Sequence, residues 1–173
     1  MDETAGSDVA SPGMAEAVDA YPSETVGPTA DASATADAAL FRVMHFESVL
    51  YDLADPSPFV HLQEAESPFR YLAIPVATPD AIALHAAHIQ LNGPRPTTHE
   101  LLATALARAR VDLIAARIVR YEGGVFFAEI DLMTPHGREI VDCRASDALA
   151  LALRQNVPAP ILCAEEVLRD YYT

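Results

Sequence analysis

The sequence predicts an α+β domain, a mostly antiparallel sheet with about four helices, preceded by a disordered acidic N-terminal tail. Three observations carry this. Residues 1–40 hold eight acids and no Arg or Lys, in a background of Ala, Ser, Thr, Pro and Gly. Such a segment buries too little apolar surface to offset its ordering entropy. After residue 40, stretches of two-residue alternation are bounded by turn signals. Between them lie Ala/Leu-rich stretches that open on helix-capping residues. Strands and helices in separate runs give an α+β domain with a mostly antiparallel sheet. The expected boundaries are 1–40 for the tail and 41–173 for the domain.

Residues 41–52, FRVMHFESVLYD, alternate in part, with Val43, Val49 and Tyr51 on one parity, and end at the turn-forming DPSP. Residues 59–65 and 69–76 follow as two more strands, joined by a short turn at 66–68. The period then changes. Thr78 reads as the cap of a helix that starts at Pro79, has Asp80 near its positive end, and stops at Asn92–Gly93. Thr97 and Glu100 stand at capping-box spacing, and Leu101, Leu102, Ala105 and Leu106 form an apolar face, so residues 97–110 are a second helix. Residues 111–145 give three strands, turning at 122–124 and at 135–137. Ser146 reads as the cap of a helix, SDALALALRQN, that is apolar nearly all round and therefore buried. A short strand at ILC and a small helix at AEEVLRDYY close the chain.

The chain carries 25 acids against 11 basic residues, all Arg, for a net charge of -14. Eight acids belong to the tail, which leaves 17 against 11 in the domain, a net of -6. An acidic domain repels a phosphate backbone at long range, so contact with nucleic acid requires a local Arg cluster or a bound cation. No apolar run reaches the length that spans a bilayer, and the first residues lack the basic start and apolar stretch of a signal peptide. A cytoplasmic protein is expected. Cys143 and Cys163 have no metal-ligand spacing and read as reduced, partly buried thiols. With 51% apolar residues in a single small domain, a homo-oligomer is expected, most simply a dimer.

Two clusters stand out chemically. The first is PRPTTHE, residues 94–100. Its capping box explains Thr97 and Glu100 but gives no reason for Arg95 or His99. A helix N-terminus presents free N–H groups and positive potential to a phosphate. Arg95 and Thr98 are therefore candidate substrate-binding residues, and His99 is a candidate acid or base. The second is DCRASD, residues 142–147. Arg144 and Ser146 are candidate phosphate contacts. Asp147 is a candidate catalytic residue and, with Asp142, a candidate ligand of a divalent cation, Mg²⁺ or Mn²⁺. Glu129 and Asp131 share a strand parity and read as a solvated face. His85 and His88, three apart on the first helix, lack a third ligand nearby and read as ordinary, partly exposed histidines.

Four blocks carry a family resemblance: YLAIPVATPDAIAL, PRPTTHELL, GGVFFAEI, and DCRASDALALALRQNVP followed by AEEVL. Together they resemble the bifunctional nuclease domain, over roughly residues 42–170. The resemblance implies cleavage of both DNA and RNA, with nucleic acid as the partner. Joined to the candidate residues, it points to a metal-dependent phosphodiesterase. Two rivals use the same residues differently: a non-catalytic oligomerising or regulatory module, in which the motifs serve as caps, and a phospho-ligand binder without hydrolysis.

Overall fold

A computed structural model describes residues 40–51 and 57–173. The expected tail, apart from Leu40, lies outside the described residues. The elements are β1 (Phe41–Tyr51), β2 (Pro58–Glu64), β3 (Tyr71–Pro75), α1 (Thr78–His88), α2 (Thr98–Arg108), β4 (Asp112–Glu122), β5 (Val125–Thr134), β6 (Gly137–Arg144), α3 (Ala145–Leu153), β7 (Ile161–Ala164) and α4 (Glu165–Tyr171). The fold is α+β, as the sequence predicts.

The seven strands form one sheet in the order β3-β2-β1-β7-β4-β5-β6. Two three-stranded antiparallel meanders lie side by side, and β7 joins them. It pairs antiparallel with β1 and parallel with β4, the single parallel pairing in the sheet. With strands on both edges and Ile161, Cys163 and Ala164 buried, ILCA has no polar member. The β4–β5 hairpin turns on Gly123 and Gly124, both at positive φ, between the paired residues Glu122 and Val125. That is the backbone a two-residue hairpin of right-twisted strands requires.

α3 is the centre of the core. Every residue from Ala145 to Leu153 except Asp147 is buried, and the helix packs against α1, α2, β4, β5 and β6. Its all-round apolar character follows from this position. On the sheet beneath, Val60, Leu62, Leu72, Ile74, Ile118, Ala128 and Ile130 supply the facing layer. α4 closes the edge of the core, where Tyr171 meets Tyr121 and Phe126.

Several expectations need correction. Val43 and Val49 share a parity but not a face. The β1–β2 register slips between Phe46 and Ser48, so Met44 and Phe46 oppose Glu64 and Leu62 while Val49 opposes Val60. The inserted residue, Glu47, moves the inward face from even to odd positions; Val43 is left exposed. β3 begins at Tyr71, because Phe69 adopts φ 59 at the end of a turn closed by its N–H to the Glu66 carbonyl. α1 begins at Thr78, with Ala77 in the cap position and no side-chain cap, and ends at His88, three residues short of the expected stop. α2 has the expected capping box, but its inward face is His99, Glu100, Ala103 and Leu106; Leu101, Leu102 and Ala105 are exposed. The cap of α3 is Arg144, and Ser146 is its second residue. Asp131 is buried and bonded to Arg138, with Nε donating to Oδ1 at 2.8 Å, so the face expected to be solvated is ion-paired. Glu129 likewise meets Arg117 at 2.9 Å.

Candidate active site

α1, α2 and α3 all begin at one place on the molecule, and their first turns supply the polar residues there. Asp80 stands in the first turn of α1, His99 in that of α2, and Ser146 and Asp147 in that of α3. Side chains in a first turn are held by a helix end, which fixes them better than a loop would.

Asp147 is the hub. Its Oδ1 lies 3.1 Å from His99 Nε2 and accepts from Arg144 Nη2 at 2.8 Å. Its Oδ2 accepts from Arg144 Nε, also at 2.8 Å. This two-pronged guanidinium contact, with the imidazole as a lesser cause, holds the Asp147 carboxyl below the usual aspartate range despite its partial burial. Asp147 is therefore a carboxylate at neutral pH. Its bond to His99 then places the ring proton on Nε2, because a carboxylate only accepts. That leaves Nδ1 outside this contact.

Arg144 also reaches Asp80, with Nη1 donating to Oδ2 at 3.1 Å, and Ser146 Oγ donates to the same oxygen at 3.3 Å. The cluster thus ties three helix starts through two carboxylates, one guanidinium, one imidazole and one hydroxyl. With His99 neutral its charge is -1. Beside it lies a cavity of about 610 Å³ lined by Asp80, Asp142, Arg144, Ser146 and the hairpin residues Phe126 and Phe127.

The structure brings together His99, Asp147, Arg144 and Ser146 of the residues singled out in the sequence. Asp142 lines the neighbouring cavity, but it projects from β6 with the side that faces Glu129. Thr98 is exposed at the start of α2. Arg95 lines a different cleft. Among the described residues, no group of three or more His, Cys, Asp or Glu stands close enough to hold a metal ion. Both oxygens of Asp147 are already engaged, one of them by two donors, with a guanidinium charge at hydrogen-bond distance. The pair Asp142 and Asp147 therefore does not fit a resident divalent cation. His85 and His88 are exposed, and the His88 ring packs on Phe46 at 4.9 Å. Cys143 and Cys163 are free. Burial pushes the Cys143 thiol up to about 11 and the Cys163 thiol up to about 12, which makes both poor nucleophiles.

Two residues of the site were missed in the sequence. Asp80 reads there only as a dipole-favoured acid, although Asp80, Glu100 and Asp147 all occupy the third position of their helices, a shared signal. Arg154 reads as the end of a buried helix. It is itself nearly buried, and its Nη1 donates to the Leu91 carbonyl at 2.9 Å and lies 3.1 Å from Glu100 Oε1. It thereby fastens the start of α2 to the end of α3 and sets where His99 stands.

The protein is thus a seven-stranded α+β domain with a histidine–aspartate pair where its helix starts converge. The chain belongs to the bifunctional nuclease domain family, whose pattern matches residues 60–172, from β2 to the end of α4. It is 35% identical over 102 residues to two uncharacterized proteins of Mycobacterium tuberculosis, MT1877 of strain CDC 1551 and Rv1829 of strain H37Rv. Each alignment covers 58% of this chain and 59% of the relative, so the chain spans about three-fifths of the length of the curated relatives it matches. No helix among the described residues is long and apolar enough to cross a membrane.

Proposed function

We propose that this domain cleaves phosphodiester bonds of DNA and RNA, with His99 as the proton-transferring group and Asp147 as its orienting partner. The observation that carries this is the 3.1 Å contact between His99 Nε2 and Asp147 Oδ1 in a member of a nuclease family. Asp147 fixes the imidazole tautomer and stabilises the imidazolium that forms when Nδ1 takes a proton from the attacking hydroxyl or water. The same atom then returns a proton to the leaving oxygen. Arg144 has donors left beyond its three bonds to Asp147 and Asp80, and these are available to the phosphate. Protonation of His99 cancels the -1 charge of the cluster, which favours the anionic transition state.

Mg²⁺ or Mn²⁺ enters this proposal as an activator to be tested, and no step runs through it. The test uses purified protein on labelled single-stranded DNA, duplex DNA and RNA, with EDTA and with either cation restored. Turnover of both DNA and RNA supports the reading; no turnover of any substrate under any condition sinks it. Loss of activity in EDTA that Mg²⁺ or Mn²⁺ restores establishes metal dependence, and undiminished turnover in EDTA excludes it.

A further inference from the structure

We infer that a second cleft beside α2, which shares no lining residue with the cavity next to the Asp147 cluster, is a binding track for the backbone of single-stranded nucleic acid. The cleft has a volume of about 670 Å³ and lies between α2 and the segments that follow α1 and α3. Arg95, Arg108 and Arg154 line it, together with Asn92, Gln155 and Asn156. Glu100 is its only carboxylate, so its charge is +2 in a domain of net charge -6.

The pairing of the arginines makes this more than an accumulation of charge. Of the eleven, eight have carboxylate partners: Arg42, Arg70, Arg117, Arg120, Arg138, Arg144, Arg154 and Arg169. Among the described residues, Arg95, Arg108 and Arg110 are the three without one, and two of these flank this one cleft. An acidic protein has carboxylates in excess with which to neutralise its arginines. Two exposed guanidinium groups left unpaired at the same cleft are available to an external anion.

The spacing indicates what kind of anion. Arg95 precedes α2 and Arg108 is its last residue. α2 itself, from Thr98 to Arg108, rises about 15 Å at about 1.5 Å per residue, so the two arginines come from chain at opposite ends of the helix. A ligand that runs from one end of the helix to the other is extended, and a chain of phosphates satisfies this better than a single one. Asn and Gln side chains between the arginines give neutral hydrogen bonds to sugar and phosphate oxygens without selecting a base. Arg154 is nearly buried and holds the cleft wall through Glu100 and Leu91. The chemistry of the His99 cluster is unaltered by this inference, which relies on the nuclease reading only for the identity of the polyanion. The cleft supplies the attraction that the cluster, at -1, lacks.

The test is binding without cleavage. In a His99→Ala background, fluorescence anisotropy of a labelled single-stranded oligothymidylate is followed against salt concentration. Adding Arg95→Ala with Arg108→Ala should weaken binding about tenfold or more and reduce the salt slope by about 1.4, at about 0.7 per lost phosphate contact. Arg110→Ala, a free arginine outside the cleft, should change neither. All three side chains are exposed and unpaired, so unchanged melting temperatures confirm intact folds. Equal binding and equal slopes for the double variant and for Arg110→Ala overturn the inference, as does failure of the His99→Ala protein to bind oligonucleotide at all. Inorganic pyrophosphate is the second probe. If it raises the melting temperature of the unsubstituted protein but not of the double variant, while oligonucleotide binding is indifferent to the two arginines, the cleft serves a small phosphate ligand and the strand track is overturned. The outcomes separate from those of the nuclease reading: cleavage with cleft-independent binding refutes the track alone, and cleft-dependent binding without cleavage refutes the chemistry alone.

Discussion

Glu64 ends a strand facing the core, where a carboxylate is costly unless it is paired. It is 2% exposed. Arg70 donates to it three times, from Nη2 at 2.8 Å, from its backbone N–H at 2.9 Å and from Nε at 3.0 Å. Arg42 Nε adds a fourth bond at 3.1 Å. The Arg70 hydrogen bonds, opposed by burial, lower the Glu64 carboxyl from 4.5 to about 2. A folded-state value below the unfolded one contributes stability in full above about pH 4.5, and that contribution is lost as the pH falls toward 2. Glu64→Gln should therefore unfold at lower urea than the unsubstituted protein at pH 7, and the gap should narrow as the pH is lowered through that window. A gap independent of pH would contradict this account. The alternation of FVHLQEA places Glu64 on the strand, but nothing local shows that it is buried. Its partner Arg70 lies across a turn, and Arg70 in turn bonds Glu165, 95 residues away. The same separation of scales hid Asp80, whose partner Ser146 is 66 residues distant, while His99 stood out as a residue type that helix capping leaves unexplained and Asp147 as an acid beside Arg144 and Ser146.

At the level of elements, what depends on near neighbours was readable. The capping box of α2 is a three-residue relation, and the structure closes it with the Thr97 N–H donating to Glu100 Oε2 at 2.6 Å. Both hairpin turns and the buried character of α3 were likewise local. What depends on register was not. The bulge at Glu47 needs knowledge of the partner strand, and the orientation of α2 is set by Arg154 and the end of α3 rather than by its own apolar stripe. These two facts about α2 predict opposite responses in urea denaturation. Thr97→Ala should cost about 1 kcal/mol, the usual value of a lost cap. Leu101→Ser, at a position 59% exposed, should cost less than about 0.5 kcal/mol in the absence of self-association. A larger loss at Leu101 than at Thr97 in the monomeric protein would show that α2 packs differently. In the centre, Leu149→Ala should cost about 2–5 kcal/mol, because the fully buried side chain leaves a cavity.

At the scale of the whole molecule, the proposed nuclease activity requires an acidic chain to receive an anionic substrate. The domain's net charge of -6 opposes polyanions at a distance, while two of the three unpaired arginines among the described residues line the cleft beside α2, and His99 meets Asp147 from the first turn of the same helix. α2 is thus the element on which both depend, yet none of its residues is buried and Leu101 and Leu102 stand exposed. We propose that a second copy of the chain covers this apolar surface, the form that the 51% apolar composition favours. Light scattering at tens of micromolar should give a dimer mass that Leu101→Asp reduces to the monomer, and a monomer mass for the unsubstituted protein would rule this out. The central claim concerns the His99–Asp147 pair, and the most direct measurement of it is single-turnover cleavage of labelled RNA and single-stranded DNA by the unsubstituted protein, His99→Ala and Asp147→Asn. Lost acid–base chemistry should slow both substitutions by about 100-fold or more at saturating enzyme, with His99→Ala melting close to the unsubstituted protein. Cleavage by His99→Ala at the unsubstituted rate would contradict the assignment.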